Sequence, residues 1–324
     1  MFVGHGLLAF ALAATLARLY GWSPARALSF GLLAGAFGLA PDVDILYAPV
    51  GVLGTSGPLD AAAGFWAAGN EVHRAVTHSL LVAGATSLAA GLWTTGRRDG
   101  RLAAGTALVG IVTVVFAASG GLAAVVVTVF GVTCFGLAHV GRDGLGFTPA
   151  AVVAAGLVGT LSHPFGDLFT GEPPALLSPV DTTLLASRIT LHPDPTLHLL
   201  GTLFAELATA WLAVLVVLWL RDGESLELGG RLSVGTSRRF DRSAGLGLGY
   251  AGAAAVLPAP TLSVSYHFVF PLLAVGVAVA SVSVVRRLRD GPDWIERVEA
   301  ALCSGLAAIT LAAGAYAVAY LALA

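Results

Sequence analysis

LAAGTALVGIVTVVFAAS at 102–119 and GLAAVVVTVFGVTCFGLAHV at 121–140 contain no Asp, Glu, Lys or Arg and are separated only by Gly120. An α-helix needs about 20 apolar residues to cross the hydrocarbon of a bilayer, so the pair reads as two membrane helices joined by a very tight turn at Gly120-Gly121. Similar apolar runs recur on either side, at 3–20, 27–47, 75–94, 148–163, 196–220, 243–260, 264–285 and 300–323. The expected fold is all-α, a polytopic transmembrane bundle of about ten helices. The Gly-rich run 243–260 also fits a re-entrant segment.

Composition agrees. The chain is 56% hydrophobic and 11% charged, against roughly 25% charged residues in soluble domains, and its mean hydropathy is +0.85. The first apolar run has no polar mature domain after it and reads as a retained helix, not a cleaved signal. The net charge of −2 gives no indication of a nucleic-acid partner. Cys134 and Cys303 both fall inside apolar runs and read as packing residues, which argues against a disulfide framework or a cysteine zinc site.

All 17 basic residues are arginine. Arg74 sits at a membrane boundary and Arg188 in segment 164–195, while the other fifteen cluster at Arg18 and Arg26, at Arg97, Arg98 and Arg101, at Arg142, at Arg221 to Arg242 and at Arg286 to Arg297. In a ten-helix topology all these loops share one side, which the positive-inside rule makes cytoplasmic. The chain is therefore expected in the cell (inner) membrane as a multi-pass protein. Both termini and segments 45–74 and 164–195 are expected outside.

The same topology gathers a set of ionisable residues at the outer boundary. His5 opens the first helix. Asp42 and Asp44, in Pro41-Asp42-Val43-Asp44, end the second. His73 and His78, in His73-Arg74-Ala75-Val76-Thr77-His78-Ser79, open the third. His163 and Asp167 close the sixth. Ionisable groups near hydrocarbon cost about 2.5–3.5 kcal/mol on insertion scales and are usually functional. Neighbouring aspartates repel unless a cation neutralises them, and His with Asp is a ligand set for zinc and related ions. Four His and three Asp suffice for two ions sharing a bridging carboxylate, expected of Asp42 or Asp44. His73 and His78 lie about 140° apart on an ideal helix, so they share a site only if the helix starts between them. His163 and Asp167 are one helical turn apart, although Pro164 disfavours helix at His163. His192, Asp194 and His198 lie near the same boundary in a Pro-rich loop and are further candidates. His139 and His267 fit no cluster and read as packing or hydrogen-bonding groups.

These motifs resemble the LexA-binding, inner-membrane-associated metal-dependent hydrolase family. Gly4-His5, the Pro-Asp-x-Asp at 41–44, His-Arg-x-x-Thr-His-Ser at 73–79, and Leu161-Ser162-His163 with Asp167, Thr170 and Leu176-Leu177-Ser178-Pro179 match in order and spacing over about residues 1–180. That family is similar in its His/Asp pattern to the zinc-dependent phospholipase C and S1/P1 nuclease group. The resemblance implies a phosphoester-type hydrolase with His5, Asp42, Asp44, His73, His78, His163 and Asp167 as ligands. Two positions depart from the pattern: Ile45 stands where many members have His, and Thr170-Gly171-Glu172-Pro173 stands where many have Thr-Pro-x-Gly.

The expected function is a membrane-embedded hydrolase of a phosphoester or lipid head group, using one or two divalent ions, zinc foremost, and a metal-bound hydroxide. Asp44 and His78 belong to its catalytic set. Arg74 would stabilise a substrate oxyanion, with Thr77 and Ser79 orienting the imidazoles. Residues 1–195 would form the metal-site core and 196–324 additional helices without a recognisable motif. Membrane lipid is the expected partner. Two rivals are a non-catalytic metal-binding membrane protein and a transporter with a His/Asp ion site. A transporter should carry ionisable groups through the membrane depth, and the arginine-side halves of the helices are nearly bare.

Overall fold

A computed structural model describes residues 2–57, 60, 61, 63–65, 67, 68, 74, 76–170, 173–180, 184–222, 239–288 and 293–323. The protein is an all-α membrane protein, and six of its helical segments are long and apolar enough to cross a bilayer. It divides into two compact units, Met1–Ile189 with Leu215–Gly223, and Thr190–Val214 with Glu224–Ala324.

The first unit begins with α1 (Phe2–Leu19) and α2 (Pro24–Leu39), followed by a 3₁₀ segment at Ala40–Val52 that carries Asp42 and Asp44. A proline at position 41 cannot donate to a helical carbonyl, and the α-helix stops just before it. The next helix, α3 (Leu80–Trp93), starts later than its apolar run suggests. Ser79 caps it, accepting from the backbone N–H of Leu81 and Val82 at 3.2 and 3.3 Å, and a short 3₁₀ turn, Val76–His78, precedes the cap.

Residues 102–139 lie in α4 (Arg98–His139), broken at Gly120, whose φ of 87° is open to glycine and strained for other residues. A Cβ on Gly131 would stand 2.3 Å from the Leu108 side chain, so the two arms lie against each other as an antiparallel hairpin. A π-helical turn, Val140–Gly144, ends the second arm. Then comes α5 (Pro149–Gly166), capped by Thr148 and followed by a 3₁₀ turn at Asp167–Phe169. This helix runs through Pro164, although the sequence favours an end at His163. Tertiary anchoring overrides the local preference: the His163 ring bonds the Gly38 carbonyl at 2.6 Å.

Small residues bring α1, α2 and α5 together. A Cβ on Gly35 would lie 2.9 Å from the Gly6 carbonyl oxygen, and one on Gly159 would lie 2.4 Å from the Ala34 oxygen and 2.6 Å from the Gly38 nitrogen. Such close backbone approach is the membrane form of small-xxx-small packing. The polarity of the three helices through the site is consistent. His5 and Arg18 stand 13 residues apart on α1, or about 20 Å at 1.5 Å per residue. Ser79 and Trp93 are at opposite ends of α3, as are His163 and Thr148 on α5. One end of the unit therefore carries the His/Asp set with Arg74 beside it, and the other carries Arg18, Arg98, Arg101 and Arg142.

The second unit comprises α6 (Pro195–Asp222) over its first twenty residues, a 3₁₀ segment at Arg242–Gly252, the one-turn α7 (Ala253–Val256), α8 (Tyr266–Leu288) and α9 (Trp294–Leu323). The 243–260 run thus forms no long α-helix. Its glycines at 245, 247, 249 and 252 and prolines at 258 and 260 withhold helix propensity. Leu199, Leu200, Phe268, Leu272 and Tyr316 form the core of this unit. Cys134 and Cys303 are both buried and free.

Candidate metal centre

Six predicted site residues converge at the end of the first unit opposite Arg18, Arg101 and Arg142. His5 comes from the first turn of α1, Asp42 and Asp44 from the 3₁₀ segment after α2, His78 from the turn before α3, His163 from α5, and Asp167 from the turn after it. All six are buried. His73 lies outside the described residues.

The imidazoles of His78 and His163 face each other, with Nε2 to Nε2 at 3.0 Å. Their tautomers follow from their other nitrogens. His163 Nδ1 meets a carbonyl, that of Gly38, and so must donate to it. Thr77 Oγ1 donates its single hydrogen to Asp44 Oδ2 at 3.0 Å and can only accept from His78 Nδ1, also at 3.0 Å. With both rings neutral, the two Nε2 atoms then carry lone pairs aimed into the same space. Two such lone pairs repel unless a cation lies between them.

The acceptors around that space are also anionic. Asp42 Oδ1 lies 3.4 Å from His163 Nε2 and 3.7 Å from His78 Nε2. Asp167 Oδ2 lies 3.1 Å from His78 Nε2 and 3.6 Å from His163 Nε2. Asp42 Oδ2 is buried with no hydrogen-bond partner among the described residues, a costly state for a carboxylate without a cation. Ligands at about 2.0–2.2 Å from one ion stand about 2.9–3.5 Å from each other, close to the separations seen. Asp42, His78 and His163 can hold a metal ion, and so can His5, His163 and Asp167.

Asp167 faces both donor groups. Its Oδ1 lies 3.4 Å from His5 Nε2 and 3.3 Å from an Arg74 guanidinium nitrogen, while Oδ2 faces the two opposed imidazoles. Asp44 stands elsewhere, 3.6 Å from Nδ1 of His78 and on the far side of that ring. A 3₁₀ helix turns about 120° per residue, so Asp42 and Asp44, two apart, cannot present to the same point. Asp167 and Asp42 thus both reach the space between the two imidazoles, while Asp44 faces the Nδ1 side of His78.

Arg74 has a left-handed backbone, φ 67°, of a kind that is uncommon for a non-glycine residue. Its guanidinium donates to the Thr170 carbonyl and, at 2.9 Å, to Thr170 Oγ1. The N–H of Ala175 donates to the Arg74 carbonyl at 3.0 Å, and Ser79 Oγ donates to the Ser178 carbonyl. Thr170, Ala175 and Ser178 are thus fastened to Arg74 and Ser79 beside the cluster. A profile described as YdjM inner membrane protein matches residues 1–223.

The chain belongs to the YdjM inner membrane protein family. The YdjM match covers every residue of the cluster, and with the apolar helices it places the chain in the inner membrane as a multi-pass protein. No curated protein and no solved structure matches the chain.

The remaining candidates have other partners. Asp194 caps α6, accepting from the N–H groups of Thr196 and Leu197 at 2.9 Å, and from Tyr320 at 3.1 Å. The Leu197 N–H above all holds its carboxyl below the usual range. His192 Nδ1 accepts from the Asp194 N–H, and His198 Nδ1 from the Leu191 N–H. His139 pairs with Asp143 at 2.7 Å, and His267 bonds the Pro258 carbonyl. Two contributors have no titratable signature in the sequence: the Gly38 carbonyl, which sets the His163 tautomer, and Thr170, which receives Arg74. The Gly31-x-x-x-Gly35 spacing was the available sign of the close helix approach that delivers Gly38.

Proposed function

We propose that this cluster is the active centre of a metal-dependent hydrolase acting on a phosphoester or lipid head group from within the membrane, with zinc as its ion. The observation that carries the reading is the 3.0 Å opposition of two Nε2 atoms whose Nδ1 atoms are both engaged, with Asp42 and Asp167 alongside. His78, His163, Asp42 and Asp167 would hold the principal ion, and His5 with Asp167 a second. The bound ion would supply Lewis acidity at the scissile bond.

The chain's own residues do the rest. Gly38 and the Thr77–Asp44 pair fix the two imidazoles. Arg74 sits against Asp167 at 3.3 Å and is 12% exposed, where its fork can also meet an anionic oxygen of the substrate. The end of the unit opposite the arginine clusters is the end the positive-inside rule places outside the cytoplasm, and we assign the centre to that side. About 20 Å of helix separates His5 from Arg18, against about 30 Å of hydrocarbon. A substrate held in the nearer leaflet would reach it without crossing the membrane.

Elemental analysis of detergent-purified protein, paired with turnover of phosphodiester and phospholipid substrates, tests the reading. One or two equivalents of zinc and hydrolysis lost on chelation are expected. Bound metal without turnover of any ester would leave a non-catalytic metal protein, and absence of metal would remove the centre altogether.

A further inference from the structure

The first unit carries another polar cavity, of about 140 Å³, at its arginine end, lined among others by Trp93, Arg101, His139, Arg142 and Asp143. It lies at the opposite end of α3 from Ser79, and so far from the His/Asp cluster. We propose that it binds the phosphate of an anionic phospholipid head group.

Charge is the first reason. Asp143 is taken up by His139, at 2.7 Å. Among the described residues neither Arg101 nor Arg142 has a carboxylate within ion-pair distance. Arg142 donates one N–H to the Phe147 carbonyl at 3.2 Å, and Arg101 lies over the Trp93 ring at 5.8 Å. Two guanidinium groups therefore share one cavity with fork donors to spare, the arrangement that recognises a phosphate.

Local geometry is the second. The π-helical turn Val140–Gly144 adds a residue to the helical circuit where Arg142 and Asp143 enter the lining. Such turns are rare and occur frequently at functional sites. Trp93, part of the same lining, is the kind of ring that sits at the head-group level.

The surroundings favour a lipid over a free phosphate. Leu92, Leu102 and Val140, each adjacent in sequence to a lining residue, are 43%, 61% and 52% exposed. Exposed apolar side chains thus lie next to lining residues along the chain, at the same depth on their helices, where acyl chains can reach them. Basic pockets between membrane helices are known head-group sites.

The test uses the full chain in detergent, titrated with dihexanoyl phosphatidylglycerol, dihexanoyl phosphatidylcholine and inorganic phosphate, with binding read by calorimetry. Phosphatidylglycerol should bind more tightly than either alternative. The double variant Arg101→Gln, Arg142→Gln should weaken it about thirtyfold, the scale for two arginines at an anionic surface. Arg97→Gln with Arg98→Gln, nearby but outside the lining, should change it far less. Arg101→Lys with Arg142→Lys keeps charge and loses the forks, and should fall between. A monodisperse elution profile shows that each variant is folded. Equal loss in the 97/98 pair would overturn the cavity in favour of a diffuse basic surface. Inorganic phosphate binding as tightly as the lipid would overturn the lipid source.

Discussion

Nε2 of His78 and Nε2 of His163 stand 3.0 Å apart although the residues are 85 positions apart in the chain. Removing either imidazole should abolish the principal ion. His163→Ala and His78→Ala are expected to purify with less than one equivalent of metal. The wild-type protein should gain thermal stability from added zinc that neither variant shows, about 2.7 kcal/mol at a hundredfold excess over the dissociation constant. Equal zinc stabilisation in all three proteins would place the ion elsewhere.

Thr77 relays Asp44 to the ring of His78 through two contacts of 3.0 Å. Thr77→Val keeps the shape and loses the hydroxyl, so His78 is no longer held in the tautomer that frees Nε2. Partners of this kind are worth about 10–100-fold in metal affinity. Thr77→Ser should restore most of it, and Asp44→Asn should weaken binding in the same direction. Competition with a chromogenic chelator measures all three. An unchanged affinity in Thr77→Val would show that the hydroxyl does not set the ring.

The convergence of the cluster was legible because ionisable residues are rare in this chain and the arginines alone orient the helices. The division of labour within it was not. Asp42 and Asp44 look equivalent in sequence, and only the 3₁₀ turn separates them by 120° and sends one to each side of His78. Gly38 contributes a carbonyl, which every residue has. Pro164 reads as a helix end because local preference cannot anticipate the bond from His163 to Gly38.

Glycine should be irreplaceable where backbones touch and dispensable where they do not. Gly159→Ala places a methyl group 2.4 Å from the Ala34 carbonyl, and overpacking of this kind costs about 1–3 kcal/mol. Gly136, also helical, has nothing within 4 Å of its added Cβ, so Gly136→Ala should stabilise by about 0.5–1 kcal/mol through helix propensity. Thermal unfolding in one detergent compares them. Equal effects would mean that α2 and α5 do not pack at this distance.

In the second unit, Asp194 ties the start of α6 to Tyr320 on α9. Its carboxyl is depressed, so the stability it contributes is present above the unfolded carboxyl value of about 3.9. That stability is lost as pH falls through the lower folded value. Asp194→Ala should therefore be less stable than wild type at pH 7, with the gap closing below about pH 3.9. A gap that persists undiminished at pH 2 would show that the carboxylate charge contributes nothing.

Arg74 separates catalysis from assembly. Its guanidinium reaches Asp167 at 3.3 Å and is held by Thr170. A cation beside a ligand carboxylate competes with the metal for its charge, so Arg74→Ala should bind metal at least as well as wild type. What it loses is a fork for a developing oxyanion, typically about 10²–10³ in rate. Thr170→Val cuts one of the two contacts with Thr170 and leaves the guanidinium in place, and should slow turnover by less. Metal stoichiometry and phosphodiester turnover, measured on both variants, decide the matter. If Arg74→Ala instead arrives without metal, the guanidinium's hold on Asp167 and Thr170 is what keeps that carboxylate in position, and Arg74 is a positioning residue with no direct part in the chemistry.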